Sequence, residues 1–383
     1  MEKKIIWFQT HLLLVYFALF AFGQLPGWFV AQKLNLPFFL HPADAVVMLI
    51  AISWLPNLRL ASGSLRISVL FIFTFLLAIP YFSDLAIIGL AYLLRLGGYI
   101  LFAEAVSQLV HKKYVNTSTL LNSLLIAAGF IAAFGWIQYI HFYDLRTLKL
   151  TGWDDHLFRL VGTFLDPAFT GIMLVLGTVV AVFVNRRWSG IAAAFLTLTL
   201  AFTFSRASFL VFVLAHLYLV IVLRKKLSVF AIVLLLVCIP LLPKPFGEGV
   251  NLGRTNSITQ KLDNTSEALF LFSQYPLFGV GFNNVCVAKQ VINLSTKGHS
   301  CSGFDNSYLF LLSTVGVIGV FILADEFWDR VSVVNKYPSK HLLFASAIAV
   351  GVHGLFTNTL FYPFVLGWMG VIAAISFRGR TLR

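Results

Sequence analysis

The sequence predicts an all-α, polytopic membrane helical bundle of about twelve transmembrane helices, a single domain over 1–383 with a large exported loop between the ninth and tenth helices. Three observations predict it. Of 383 residues, 59% are hydrophobic and only 11% are charged, less than half the roughly one-quarter charged content usual in soluble domains. The apolar residues gather in runs close to the roughly 20 residues that cross a hydrocarbon core. Short basic clusters punctuate every second junction between those runs, as cytoplasmic loops do.

The runs lie at 5–25, 42–56, 66–83, 85–108, 118–141 and 166–184, then at 189–204, 207–223, 227–243, 307–325, 341–357 and 359–377. Met1-Glu2-Lys3-Lys4 leads into the first run with no small-residue cleavage site, so that run is expected to remain as a helix. With the N-terminus inside, the cytoplasmic junctions carry Lys112, Lys113, Arg186, Arg187, Arg224, Lys225 and Lys226, and later Arg330, Lys336, Lys340 and the basic C-terminus. Both termini are therefore expected in the cytoplasm. The net charge of +13 is this punctuation and forms no basic arm or patch, which excludes nucleic acid as a partner.

Two outer segments exceed the length of ordinary turns and are expected to carry function. One, 142–165, holds Asp144, Arg146, Lys149, Asp154, Asp155 and Arg159; the other is the loop 244–306. The amphipathic stretch Ala268-Leu269-Phe270-Leu271-Phe272 and two Gly/Pro-rich turns predict that this loop folds. Cys238 falls within an apolar run and reads as packing. Cys286 and Cys301 both fall in the large loop, where an oxidising compartment lets a disulfide persist. A bridge between them is the expectation, with two inert thiols as the alternative. These cysteines and His299 lack a fourth ligand at usual spacing, so no metal site is expected.

Four phrases carry unusual polar content: Arg159-Leu-Val-Gly-Thr-Phe-Leu-Asp-Pro167, Phe204-Ser-Arg-Ala-Ser208, Tyr275-Pro-Leu-Phe-Gly-Val-Gly-Phe-Asn-Asn284, and Asp305-Asn-Ser-Tyr-Leu309 leading to Gly316-Val-Ile-Gly319. In this order and spacing, over residues 159–325, the chain resembles the O-antigen ligase/O-antigen polymerase family of bacterial membrane glycosyltransferases. The resemblance implies an inverting, metal-independent enzyme of the bacterial inner membrane, without a cofactor. It would move a glycan from undecaprenyl-pyrophosphate to an acceptor hydroxyl on another glycan or on lipid A core.

That chemistry assigns roles to residue types. A departing pyrophosphate gains negative charge, which fixed cations must meet, and arginine offers phosphate a permanently charged, two-pronged donor. Arg206 is the first choice. It interrupts about 35 apolar residues from Ser189 to Leu223, roughly 50 Å of helix and too long for one crossing. The chain is expected to turn there, with Ser205 and Ser208 beside the guanidinium; a snorkelling Arg that marks the turn is the plainer reading. Arg159 stands before a helix start at Asp166-Pro167, where free N–H groups attract anions.

Two positions depart from the family pattern. The His that usually opens the phrase His-Asn-Ser-Tyr-Leu is Asp305 here, so the base is either Asp305 or His299, six residues upstream. Asn306 follows as a binding or helix-capping residue. An Arg often found ahead of the Pro-x-x-Gly-x-Gly turn is Lys261 here, with Arg254 as a substitute. The absent His favours a polymerase or an unspecified transferase over a strict ligase. Gly279 and Gly281 suggest a tight turn or close backbone packing. Arg95 sits near mid-membrane, a depth at which ionisable groups are functional or paired with another helix; Glu104, nine residues on, is too far for a pair within the helix. His353 reads as a hydrogen-bonded packing residue. The competing classes are a transporter or flippase, and a non-catalytic partner of a glycan assembly complex. Against transport, the halves carry no matched broken segments.

Overall fold

The computed structural model describes residues 2–34, 39–57, 60–80, 86–151, 153–184, 186–243, 247–294, 303–337 and 339–377. Among the described residues fifteen α-helices follow one another: α1 Glu2–Phe20, α2 Leu25–Leu34, α3 Pro42–Trp54, α4 Ser62–Ala78, α5 Ala86–His111, α6 Thr117–His141, α7 Pro167–Phe183 and α8 Ser189–Ala201. The rest are α9 Arg206–Leu223, α10 Lys226–Leu241, α11 Asn256–Gln274, α12 Val285–Val291, α13 Ser307–Val334, α14 Lys340–His353 and α15 Pro363–Ser376. The described residues contain no strand, only one isolated bridge between Asp144 and Leu157.

Each of the twelve expected runs overlaps one of these helices. Four, beginning at Ile88, Thr117, Arg206 and Ser307, are long and apolar enough to cross a membrane, or five if α1 and α2 count as one bent span. Seven further apolar helices are shorter. The first run ends earlier than expected, in a bend. It stops at Phe20 and bends by 83° into α2. The cause is local: Gly23 takes φ +53, and a Cβ there would lie 2.7 Å from the Thr163 carbonyl oxygen. Gln24 N donates to that same oxygen at 2.9 Å, and Thr163 Oγ1 donates to Ala21 O at 2.8 Å.

α7 is the centre of the bundle. Nearly every residue from Thr170 to Val182 is buried, as befits a helix apolar on all sides. It packs against α6, α8, α9 and α14, while α15 packs along α5. A second core joins α4, α5, α11 and α13 through Phe71, Leu96, Leu271, Phe282, Phe310 and Val315.

The Pro-x-x-Gly-x-Gly phrase belongs to that second core and is not a free outer turn. α13 is broken at Gly316 (φ 65, ψ −174). Such a break frees backbone groups that an apolar surrounding cannot satisfy, and the phrase supplies their partners. Val280 N and Gly281 N donate to Ser313 O and Thr314 O, both at 2.9 Å. Val317 N donates to Pro276 O at 2.9 Å and Ile318 N to Leu277 O at 3.2 Å. So close a backbone approach leaves no room for a Cβ at Gly279 (φ +68) or Gly316.

Arg95 is paired with another helix. It forms an ion pair with Asp44 of α3 at 2.9 Å and donates to Phe39 O, while Tyr99 Oη donates to the second Asp44 oxygen at 3.0 Å. Glu104 accepts from Ser64 Oγ at 2.5 Å, and Ser64 in turn accepts from Arg330. Both arrangements hold α3, α4 and α13 to α5.

Candidate functional site

Three guanidinium groups meet where α8 turns into α9. Phe204, in the turn, takes φ 51, an uncommon conformation for a bulky residue. Its carbonyl accepts from Arg159 Nη2 and Arg254 Nη2, both at 3.4 Å, and Arg159 Nε also donates to Thr203 O at 3.1 Å. Arg254 Nη1 reaches Gly249 O at 2.9 Å and Asn251 O at 3.0 Å. Arg206, the first residue of α9, donates to Leu252 O at 3.1 Å and Arg254 O at 3.0 Å. The arginines thus stitch the α8–α9 turn to the segment 249–254, which α10 delivers. Burial, and then the charge of Arg254, push the Arg159 pKa down to about 9, with Asp166 and Asp154 opposing. Arg159 remains a cation at neutral pH.

Each of these groups is placed by a helix start. Ser205 is the N-cap of α9 and accepts from Ser208 N at 3.4 Å, a role suited to serine. Asp166 caps α7, accepting from Ala168 N at 2.7 Å and Phe169 N at 2.8 Å, with Pro167 at the first helical position. Gln138 of α6 fixes the phrase before it, its Oε1 accepting from Val161 N and Gly162 N.

A second group gathers at the start of α13. Lys261 Nζ lies 3.5 Å from Asp305 Oδ2 and donates to Phe356 O. Asp305 N donates to Asn264 Oδ1 at 2.8 Å. Asn306 spends its side chain on structure: Oδ1 caps α13 through Tyr308 N and Leu309 N, and Nδ2 donates to Leu355 O at 3.2 Å. Ser205 is likewise engaged by its helix. His299 and Cys301 lie outside the described residues. Cys286 is disulfide-bonded and Cys238 is a free thiol.

Two of the buried histidines adjoin these groups. His353, at the end of α14, lies fully buried, with Nδ1 2.6 Å from Thr359 Oγ1 and Nε2 3.4 Å from Ser208 Oγ. Ser208 Oγ is 2.8 Å from Ser205 Oγ, so a polar chain runs from α14 to the α9 cap. His156, unremarked in the sequence, is buried in the 142–165 segment near Arg159. No pattern of spacing announces that burial.

Beside the guanidinium cluster is a cavity of about 330 Å³, lined by Phe204, Ile239, Pro240, Leu242, Gly247 and residues 250–253. Its walls are largely apolar, yet the segment forming one side carries the carbonyls that hold Arg206 and Arg254.

Apolar helices of spanning length define a membrane protein, with cationic and carboxylate groups gathered near helix starts. Residues 191–324 match the family model described as O-antigen ligase. The match runs from α8 into α13. It includes Arg206, Arg254, Lys261 and Asp305 and leaves Arg159 and His353 outside. No curated protein matches the chain.

Proposed function

We propose that the chain is a lipid-carrier-dependent glycan transferase acting at the outer face of the bacterial inner membrane. In this reading twelve helices cross the bilayer, both termini are cytoplasmic, and 244–306 covers the site. The donor is a glycan on undecaprenyl-pyrophosphate; the acceptor is a hydroxyl of a second glycan or of lipid A core. Inverting attack by that hydroxyl on the anomeric carbon breaks the bond to the pyrophosphate oxygen, and the acceptor proton passes to Asp305 or His299. No metal or cofactor takes part.

The observation that carries the reading is the convergence of Arg159, Arg206 and Arg254 on one turn beside a largely apolar cavity. Guanidinium groups already held in place cost no reorganisation when leaving-group charge develops. An apolar cavity next to them suits the isoprenoid that carries the pyrophosphate. Lys261 and Asp305 supply a cation and a carboxylate for the acceptor side.

The test is turnover of undecaprenyl-pyrophosphate glycan by purified protein with candidate acceptors, as wild type, Arg206→Ala and Asp305→Asn. Carrier consumption by the wild type alone is expected. Equal turnover by all three would remove the site assignment, and translocation without bond transfer would make the chain a flippase. Labelling that placed Ser205–Ser208 on the cytosolic side would end the topology on which the reading depends.

A further inference from the structure

We propose that His156 is a binding residue for the same anion, donating from Nε2 to a phosphate oxygen alongside Arg159 and Arg254. Its backbone position is fixed on both sides. Leu145 N donates to His156 O at 2.8 Å, and Phe158 N donates to Tyr143 O at 2.9 Å. The ring of Phe158 stacks on that of Tyr143 at 4.8 Å. This small hairpin presents an imidazole that is only 5% exposed, and its Nε2 has no hydrogen-bond partner.

An orphaned polar atom in a buried place costs free energy unless a ligand or water completes it. The charges of Arg159, Asp154 and Arg254 all reach the His156 ring. The hairpin also abuts the cavity wall. A Cβ at Gly247, which lines the cavity, would lie 3.4 Å from Leu157 Cδ2, and one at Gly249 would lie 2.8 Å from Arg159 Cδ. Two cations and an unpartnered, buried nitrogen on a hairpin that packs against the cavity wall call for an anion that accepts hydrogen bonds.

The same surroundings decide what the imidazole does. Burial first, and then the Arg159 charge, push its pKa down to about 3, with Asp154 opposing and Arg254 adding to the effect. It is neutral at physiological pH. A neutral imidazole keeps one N–H, and facing a phosphate oxygen it places that hydrogen on Nε2.

The identity of the anion as a lipid pyrophosphate rests on the transferase reading, and the experiment separates the two. Binding of radiolabelled undecaprenyl pyrophosphate is measured in micelles for wild type, His156→Phe, His156→Gln and Arg206→Ala, with inorganic pyrophosphate as competitor. Phenylalanine fills the same space without a polar atom. His156→Phe is expected to bind about tenfold more weakly or worse, the scale of a hydrogen bond to a charged group, without losing thermal stability when unliganded. His156→Gln, which keeps a donor, is expected to recover part of the affinity. Wild-type affinity in His156→Phe, with binding lost in Arg206→Ala, would overturn this inference alone. A wild type that does not bind the lipid would overturn the donor reading and this inference with it.

Discussion

Lys261 and Asp305 face each other across 3.5 Å, joining the helix that lies within 244–306 to the residue before the N-cap of α13. Both side chains are partly exposed, at 42% and 44%. Pairs so exposed typically contribute only about 0.2–1 kcal/mol to stability. Asp305→Asn is therefore expected to leave the melting temperature in detergent nearly unchanged. Under the proposed mechanism it lowers transferase turnover strongly, since an amide accepts no proton. A large fall in melting temperature with turnover retained would make Asp305 a structural residue and leave His299 as the base.

The arginine cluster separates charge from shape. Arg206 donates from one nitrogen, Nη1, to two carbonyls, Leu252 O and Arg254 O, and the rest of its planar guanidinium offers phosphate the paired donors that a lysine lacks. Lysine keeps the charge and loses the fork. Arg206→Lys is expected to fold and to lose about 10²–10³ in turnover, the effect of removing one preorganised donor from a developing oxyanion. The comparison to make is kcat and KM for the lipid-linked donor. Normal kinetics in Arg206→Lys would show that charge alone suffices.

Much of the bundle was legible because lipid imposes a simple rule on composition. The turn at Arg206 followed from length alone: 189–223 is too long for one crossing, and the chain turns between Ala201 and Arg206. The cap at Asp166 followed from the Asp-Pro pair. The bend after Phe20 was not legible, because Gly23 yields to the Thr163 carbonyl, a partner some 140 residues away. Neither was the threading of Pro276–Gly281 into α13. Its glycines signalled a close approach without naming the backbone approached. Asn306 and Ser205 each cap a helix, and sequence does not distinguish a serine or asparagine that caps from one that binds.

His156 gives the protein a pH dependence of definite sign. Its folded pKa, about 3, lies below the usual value for an exposed imidazole, near 6.5. Between those values the unfolded chain binds the extra proton, so this group's contribution to stability is intact above pH 6.5 and is lost as pH falls toward 3. Thermal melts of wild type and His156→Phe across that window are expected to diverge, the variant losing less stability on acidification. Parallel curves would show that the imidazole is not held neutral.

The disulfide is tested by chemistry. Cys286 is bonded and Cys238 is free, and pairing of Cys286 with Cys301 would close a loop that contains His299. A loop of about 15 residues is restrained by roughly 3 kcal/mol on chain-entropy grounds. Alkylation of the native protein is expected to modify one cysteine before reduction and three after it, read by mass. Reduction is also expected to lower the melting temperature. Three modified cysteines in the unreduced, exported protein would show two inert thiols.

The break in α13 makes the strongest demand on a single residue type. At φ 65 and ψ −174, Gly316 sits where essentially only glycine is at ease, and a side chain there would also meet the Leu277 carbonyl. Backbone strain of this kind costs about 1–3 kcal/mol, before any displacement of the Pro276–Gly281 segment. Gly316→Ala is therefore expected to lower the melting temperature by several degrees, and Gly279→Ala, which would meet Ser313 and Thr314 backbone, to do the same. The two effects should be far from additive, because either substitution expels the same segment and breaks the same four hydrogen bonds. If the losses simply sum, the segment and the break are independent, and the hydrogen bonds from Val280, Gly281, Val317 and Ile318 do not act as one unit.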